Sequence, residues 1–195
     1  MRVVLASHNE GKVKEFKEIL ARFNIEVLSL KDINFNEDII EDGNTFEENA
    51  LIKAKTIYNV VKIPVISDDS GLCVHALDEA PGIYSARYGG LEDEADRIKL
   101  VLKQMEEKKN REAFFHCSIV FYLGEDNYKH FPGRVHGTLD YVEKGGNGFG
   151  YDVIFIPNGY HNTFGELSSE IKNEISHRAV AIKSLIKFLE NDFSY

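Results

Sequence analysis

Apolar residues recur along the chain with two different periods. Short segments in which apolar residues predominate, at residues 2–6, 25–30 and 64–66, are typical of buried strands. Apolar residues three or four positions apart predict amphipathic helices over residues 13–23, 46–57, 98–105 and 179–189. Strands and helices therefore both contribute to the predicted fold.

The middle of the chain carries longer strand patterns. Residues 113–123 and 128–138 predict a hairpin whose strands are joined by a four-residue connection, residues 124–127. A further strand is predicted at residues 153–156, after a cluster of glycines. Residues 80–90 have no clear period, and an irregular segment of this length in a compact domain is usually functional.

The apolar run at residues 64–66 leads directly into two adjacent carboxylates, Asp68 and Asp69, and then Ser70 and Gly71. Because successive strand residues point to opposite faces, we expect one carboxylate to orient its surroundings while the other takes part in chemistry. Glu41 is a further carboxylate nearby in sequence, and carboxylates from separate segments are a usual way to hold Mg²⁺. Taken alone, the Asp-Asp-Ser-Gly stretch also fits a solvated turn.

A small polar loop separates the first predicted strand from the first predicted helix. It consists of Ser7, His8, Asn9, Glu10, Gly11 and Lys12. Such a loop places free backbone N–H groups and the positive end of a helix dipole at one point, which favours an anion, and Lys12 adds a full charge. It is not a Walker loop, because Ala6 replaces the first glycine and Val13 replaces the metal-binding Ser or Thr. The alternative is an ordinary helix cap by Ser7 or Asn9.

The predicted helix that begins near Thr45 mixes polar residues into its apolar stripe. Thr45 and Glu48 fit a capping box at its start. Asn49 and Lys53 fall among the apolar positions. A lysine there either extends out of a core face or reaches a phosphate.

Two features near the C-terminus predict ligand contacts. Glycines around Phe149 let the backbone approach a ligand and present the ring for stacking; a flexible loop with a buried ring is the alternative. Ser176 is a natural helix N-cap, which places His177 and Arg178 in the first helical turn. Cations there oppose the helix dipole, so we expect an acceptor-rich ligand beside Arg178 and Lys172. The alternative is an exposed arginine next to a capping histidine.

The composition limits the possible classes of protein. The 195-residue chain has 43% hydrophobic and 28% charged residues, as ordinary globular proteins do, and we predict one domain over residues 1–195. A net charge of −9 argues against binding to nucleic acid or an anionic membrane. No apolar stretch approaches the length of a membrane span, so we expect a cytoplasmic protein. Cys73 and Cys117 are expected to be buried free thiols, and no histidine has metal-ligand spacing.

Six ordered blocks together resemble the inosine triphosphate pyrophosphatase family, which hydrolyses non-standard purine nucleoside triphosphates. The blocks are residues 7–12, 45–53, 67–72, 80–87, 148–152 and 175–178. The resemblance runs nearly end to end and implies an α/β fold with a mixed β-sheet, flanking helices and two lobes around a central cleft. It also implies a homodimer, dependence on Mg²⁺, and cleavage to the nucleoside monophosphate and pyrophosphate.

The resemblance also implies roles for individual residues. By position, Asp69 is similar to the family's proton acceptor and metal ligand, and Glu41 to a second carboxylate at the metal. Contacts to the triphosphate and sugar are implied for Ser7, His8, Asn9, Glu10, Gly11, Lys12, Lys53, Ser70 and Lys172. The implied base-binding loop comprises Phe149, Gly150, Tyr151 and Asp152. His177 and Arg178 are implied to contact the purine edge.

Two alternative functions stay open at this point. A Maf-type pyrophosphatase would act on modified pyrimidine or 7-methylguanine nucleotides, and the block at residues 176–178 argues against it. A nucleotide-binding module without turnover is disfavoured by the carboxylates and lysines. The chain departs from the family where His8 replaces a common glycine, Asp42 a frequent threonine and Val153 a usual proline. None of these changes removes a charge from the predicted site.

Overall fold

The computed structural model describes residues 1–192. The strands are β1 (Arg2–Leu5), β2 (Glu26–Ser29), β3 (Val65–Val74), β4 (Glu112–Gly124), β5 (Asn127–Leu139) and β6 (Phe155–Pro157). The α-helices are α1 (Glu10–Leu20), α2 (Phe46–Val61), α3 (Glu94–Gln104), α4 (Ser169–Ile175) and α5 (His177–Asp192). Short 3-10 helices lie at Ala21–Phe23, His75–Leu77, Gly82–Gly90 and Gly150–Ile154.

The strands form one sheet in the order β2-β1-β3-β4-β5-β6. β1 pairs in parallel with both β2 and β3, whereas β5 and β6 are antiparallel. Parallel neighbours need a crossover connection, and helices α1 and α2 provide the crossovers between the first three strands. A mixed sheet with flanking helices confirms the predicted α/β fold class.

The chain divides into two compact units. The first contains residues 1–69, residues 117–133 and the segment from Ala179 onward, and the second contains residues 70–116 and 134–178. Strands β3, β4 and β5 each contribute residues to both units. The single domain over residues 1–195 stays a prediction, and its last three residues lie outside the described part of the chain.

The first unit has a core on each face of strand β1. Val3 and Leu5 pack with Phe16 of α1 and Leu185 of α5. Val4 belongs to the opposite core, which is built on helix α2. Each large apolar side chain that is fully buried in this way stabilises the fold by about 1.5–3 kcal/mol. Because helices cover both faces, β1 is apolar at every buried position rather than alternating.

The second unit has an aromatic core. Leu72 of β3 and Val101 of α3 pack with Phe115, Phe155 and Phe164. The ring centroids of Phe115 and Phe155 are 4.7 Å apart, and those of Phe155 and Phe164 are 5.6 Å apart. Aromatic pairs at such distances contribute beyond their buried area. This core supports the loop around Phe149 described below.

The prediction of a third strand confined to the apolar run at residues 64–66 is wrong in its extent. Strand β3 continues through Asp68 and Asp69 to Val74, and every residue of it except Ser70 is buried. The solvated-turn interpretation is therefore also wrong. The strand continues because side chains from distant segments hold both carboxylates, as described in the next section.

Two further predictions are wrong in detail. The connection between β4 and β5 has two residues, Glu125 and Asp126, rather than four. Their φ angles are 50° and 57°, in the left-handed region that a type I′ hairpin turn requires. The strand predicted at residues 153–156 is shifted: residues 150–154 are a 3-10 helix, and β6 covers Phe155–Pro157. The Asp152 carboxylate accepts a hydrogen bond from the Phe149 N–H at 2.9 Å, which closes this tight turn.

The capping residues at the starts of the helices largely match those predicted from the sequence. Asn9, rather than Ser7, caps α1. Thr45 caps α2 and accepts from the Glu48 N–H at 3.1 Å. The Glu48 carboxylate, however, accepts from the Asn44 N–H at 2.6 Å, so the box closes one residue earlier than predicted. The helix predicted at residues 13–23 is α-helical to Leu20 and 3-10 beyond it.

Within residues 1–192, no helix combines the length and apolar character that crossing a membrane requires. Cys73 and Cys117 are buried, as predicted, and neither forms a disulfide. Burial raises the pKa of the Cys73 thiol to about 12. Because the thiolate is the reactive form, this thiol is chemically inert at neutral pH.

Candidate active site

Asp68, in the first unit, has no exposed surface and receives donors from two segments. Its Oδ1 lies 2.5 Å from Lys12 Nζ, and its Oδ2 accepts from Cys117 Sγ at 3.0 Å. Hydrogen bonds in which both partners are ionised are among the strongest in proteins. Asp68 therefore fixes the end of the Lys12 side chain, which agrees with the expectation that one of the two carboxylates orients its surroundings.

The polar loop before α1 has the geometry of an anion site. Asn9 Oδ1 accepts from the Lys12 N–H at 3.0 Å, and Ser7 Oγ accepts from the Asn9 N–H at 3.2 Å. These bonds hold the backbone at the positive end of the helix, beside the Lys12 ammonium group. Glu10 and Gly11 form the first turn of α1. His8 Nε2 lies 3.0 Å from the Glu37 carbonyl oxygen, to which it donates, because a carbonyl oxygen can only accept.

Asp69 is contacted by two residues of helix α2. Lys53 Nζ lies 3.6 Å from Asp69 Oδ1 and 2.9 Å from Glu41 Oε2. Asn49 Nδ2 donates to Asp69 Oδ2 at 3.2 Å. The side chain of Asp69 is 10% exposed. The structure thus brings together Glu41, Lys53 and Asp69, three of the residues predicted from sequence.

Burial raises the pKa of the Asp69 carboxyl, while the charges of Lys53 and Lys12 act in the opposite direction. Burial alone would lower the pKa of the Lys53 ammonium group, but the charges of Asp69 and Glu41 outweigh it and the pKa is raised. A carboxylate whose pKa is raised is a stronger base. A lysine whose pKa is raised keeps its charge and can bind an anion throughout the neutral range.

The donor set around Asp69 fits a hard divalent cation that shares its coordination with a substrate. Three carboxyl groups, those of Glu41, Asp68 and Asp69, form ion pairs here with the ammonium groups of Lys12 and Lys53, and in their charged forms these five groups carry an excess of one negative charge. Among residues 1–192 no cluster of three or more His, Cys, Asp or Glu has metal-binding geometry. Mg²⁺ is commonly bound by one or two carboxylates together with waters and substrate phosphates, and Glu41 with Asp69 matches that pattern.

In the second unit, the loop around Phe149 is closed by a buried ion pair. Lys172 Nζ lies 2.5 Å from Asp152 Oδ2 and 4.5 Å from the centroid of the Phe149 ring. Gly148 has a φ of +74°, and a Cβ atom added there would lie 2.1 Å from Asp152 Oδ2. Only glycine therefore allows the loop to pass this close to the carboxylate.

Arg178 lies under the same aromatic ring. Its side chain is buried, Nη2 donates to Ser70 Oγ at 2.9 Å, and its guanidinium carbon lies 5.7 Å from the Phe149 centroid. The neighbouring His177 ring stacks on Phe115, with centroids 4.8 Å apart and planes 14° apart. His177 and Arg178 occupy the first turn of α5, as predicted, and both are buried rather than exposed.

Tyr151 supports this loop from inside the second unit. Its hydroxyl donates to the Ser85 carbonyl oxygen at 2.9 Å, and Ser85 Oγ in turn accepts from the Leu72 N–H at 3.0 Å. Burial raises the pKa of the Tyr151 hydroxyl, which therefore stays a proton donor. Ser85 belongs to the segment at residues 80–90 that has no sequence period, and it links β3 to the Phe149 loop.

Several residues of the site could not be assigned a role from sequence. In the sequence, Asn49 is recognisable only as a polar residue on an apolar stripe. Its contact with Asp69 joins two residues that are twenty positions apart, so no local pattern predicts it. Cys117 and Phe115 lie in an apolar strand pattern that gives no sign of their contacts with Asp68 and His177. The substrate contacts predicted from the resemblance stay predictions.

Comparison with known proteins gives a family for this chain. The model of the Ham1 family matches residues 3–188. A dITP/XTP pyrophosphatase of Clostridium tetani (strain Massachusetts / E88) is 44% identical over 194 residues, with 97% of this chain and 96% of the relative covered. A dITP/XTP pyrophosphatase of Bacillus subtilis (strain 168) is 46% identical over 190 residues, with 96% of each covered.

Solved structures agree with this assignment. The Staphylococcus aureus Ham1 protein matches with a TM-score of 0.87 and 39% identity, covering 98% of this chain and all of that one. A HAM1 protein from Coxiella burnetii matches with a TM-score of 0.88 and 37% identity, covering 98% and 99%. The resemblance drawn from the six sequence blocks is thereby confirmed, and the chain belongs to the Ham1 family.

Proposed function

We propose that this protein hydrolyses the non-standard purine nucleoside triphosphates dITP, XTP and ITP to the monophosphate and pyrophosphate. The observation that carries the proposal is Asp69, a buried carboxylate with a raised pKa beside Lys53 and Glu41. The names of the two relatives, dITP/XTP pyrophosphatase, support the substrate class.

Residues of the first unit act on the triphosphate. Lys12 and Lys53 bind phosphate oxygens, and the N–H groups at the start of α1 add neutral donors. Asp69 accepts a proton from the attacking water, which its raised basicity favours. Phosphoryl transfer needs mainly positioning and charge neutralisation, and this set of groups supplies both.

Glu41 and Asp69 are the residues that would hold Mg²⁺. When bound, this ion supplies positive charge to the phosphate oxygens and lowers the pKa of a coordinated water. The excess of negative charge among the five ionised groups of the first unit supports this part of the proposal.

Residues of the second unit bind the base. Phe149 offers a ring face for stacking, and Asp152 and Lys172 fix the loop that carries it. Arg178 donates to acceptors on the purine, and His177 is held against Phe115 in a defined orientation. The buried position of these donors favours a ligand that can accept from them.

The protein is further proposed to act as a homodimer in the cytoplasm. The homodimer is implied by the family resemblance, and the cytoplasmic location is the expectation drawn from the sequence. The net charge of −9 supports a small-molecule substrate rather than nucleic acid, because a polyanion would be repelled.

Release of pyrophosphate from ITP, dITP and XTP in the presence of Mg²⁺ tests the activity. Hydrolysis in ¹⁸O-labelled water tests the bond that is cleaved, because attack at the α-phosphorus places the label in the monophosphate. Label in pyrophosphate, or free phosphate as the first product, contradicts the proposed reaction. A preference for 7-methylguanine or modified pyrimidine nucleotides would indicate a Maf-type enzyme, and binding without turnover would indicate a non-catalytic module.

A further inference from the structure

Asn49 has no exposed surface and makes one hydrogen bond on each side of its carboxamide group. Its Oδ1 accepts from the Gly43 N–H at 2.9 Å. Its Nδ2 donates to Asp69 Oδ2 at 3.2 Å. One side chain thus connects the loop that follows Glu41 to the carboxylate proposed as the base.

The orientation of this carboxamide is fixed by its partners. The Gly43 N–H can only donate, so the Asn49 oxygen must face it and the Asn49 nitrogen must face Asp69. Asp69 Oδ2 therefore accepts a hydrogen bond from Asn49 Nδ2, whereas Asp69 Oδ1 lies 3.6 Å from Lys53 Nζ. The two oxygens of the carboxylate have different surroundings.

The loop approaches helix α2 at a point that admits only glycine. A Cβ atom added to Gly43 would lie 2.8 Å from Asn49 Oδ1 and 2.7 Å from Glu48 Cβ. Glu48 also accepts from the Asn44 N–H at 2.6 Å. Two consecutive backbone N–H groups of the loop are therefore bonded to side chains in the first turn of α2, which limits the movement of Glu41 two residues before Gly43.

We infer that Asn49 is a positioning residue that holds the Asp69 carboxylate and the Glu41 loop in one fixed arrangement. The inference rests on the proposed function. Rotation of Asp69 away from this orientation would move its oxygens away from the attacking water while leaving the phosphate-binding lysines in place. Loss of Asn49 should consequently lower kcat more than it raises KM.

Two substitutions separate the two hydrogen bonds. Asn49→Asp keeps an acceptor for the Gly43 N–H but removes the donor to Asp69, whereas Asn49→Ala removes both. Because a hydrogen bond to a charged group is lost in each, we expect kcat for ITP to fall about ten- to a hundredfold in both. KM should change by less than about threefold, since ground-state binding of the phosphates is retained. Hydrogen exchange of the Gly43 amide should accelerate in Asn49→Ala but not in Asn49→Asp.

Asn59→Asp is the matched control, because Asn59 is an exposed residue of the same helix and the change adds the same charge. Its kcat should equal that of the parent. Unchanged kcat in both Asn49 variants, or a loss confined to KM, overturns the inference.

If a variant does not fold, a measurement on the parent protein tests the inference instead. The Asn49 side-chain NH₂ protons should exchange far more slowly than those of Asn59, and equal rates overturn the inference. A parent that releases no pyrophosphate from ITP refutes the proposed function instead, and the exchange rates still test the two hydrogen bonds.

Discussion

The ammonium group of Lys172 lies 2.5 Å from Asp152 Oδ2, and the two side chains are only 6% and 3% exposed. Removing one member of such a pair leaves the other charge buried without its main partner. That cost, rather than the pair's own contribution, determines how the protein responds to substitution.

We expect Lys172→Met to destabilise the protein by about 3–5 kcal/mol, because methionine fills the space but leaves the Asp152 charge buried. Urea denaturation measures the free energy of unfolding. Lys99→Met is the control, since the Lys99–Asp96 pair is exposed and its loss should change stability by less than about 0.5 kcal/mol. Equal losses in the two variants would contradict the assignment of Lys172 to a buried pair.

Asp69→Asn keeps the shape of the side chain while removing its charge and its capacity to accept a proton. Turnover of ITP should fall at least about a hundredfold, the usual contribution of a general base. Asp126→Asn, in the exposed turn after β4, makes the same chemical change in the same unit and should leave turnover unaffected. Circular dichroism checks that both variants are folded. Near-parent turnover in Asp69→Asn would exclude Asp69 as the base.

ATP should be a very poor substrate. Arg178 is always a hydrogen-bond donor, and inosine and xanthosine carry an accepting oxygen at purine position 6 where adenosine carries an amino donor. Leaving a buried donor unpaired can reject an analogue by a factor of about 10⁴. The ratio of kcat/KM for ITP and ATP measures this selectivity. Arg178→Ala should reduce the ratio as the overall rate falls, whereas Arg22→Ala, at an exposed arginine, should not. Similar kcat/KM values for ATP and ITP in the parent would falsify this role of Arg178.

Asp32 should make stability depend on pH in the acid range. Hydrogen bonds from the Ser29 N–H and hydroxyl, followed by the one from Lys17, lower the pKa of its carboxyl to about 2. Because folding lowers the pKa of this carboxyl, ionised Asp32 stabilises the fold at pH values above its unfolded pKa, near 3.8. This stabilisation is lost as the pH falls towards 2. The side chain is 42% exposed, so solvent screening keeps the effect small.

The urea midpoints of the parent and Asp32→Asn compare the two proteins directly. The parent should be more stable at pH 6, and the difference should narrow between pH 4 and pH 3 (about the unfolded pKa and below it). A difference that stays constant over this interval would show that Asp32 has an ordinary pKa. Asp38→Asn, at an exposed carboxylate of the following loop, is the control.

Local periodicity predicts most of the elements but misjudges those that depend on distant partners. The predictions of β1 and β2 are correct because helices cover both faces of the sheet there, so that apolar residues predominate in these strands. β3 is extended beyond its apolar run because Lys12 and Asn49 meet Asp68 and Asp69 from other segments. Asp, Ser and Gly favour turns on their own, so no local pattern can reveal that extension.

The site was likewise predictable by residue type rather than by arrangement. Lysines and carboxylates at the expected positions indicated phosphate chemistry, and the structure pairs Lys53 with Glu41 and Asp69. The supporting residues behind them, such as Asn49 and Cys117, were not predictable because a buried amide or thiol in a helix or strand carries no signature of its partner. Such contacts are set by tertiary packing, which a single sequence does not display.

Because Gly148 has only a hydrogen atom as its side chain, few mutations of its codon can be tolerated. Any missense change at this codon adds at least one carbon atom, and that carbon would lie 2.1 Å from the Asp152 carboxylate oxygen. The carboxylate would have to leave both the Phe149 N–H and Lys172, although residue 148 itself has no ionisable group and no part in bond cleavage. In a survey of random variants we therefore expect Gly148 to tolerate as few replacements as the charged residues Asp152 and Lys172.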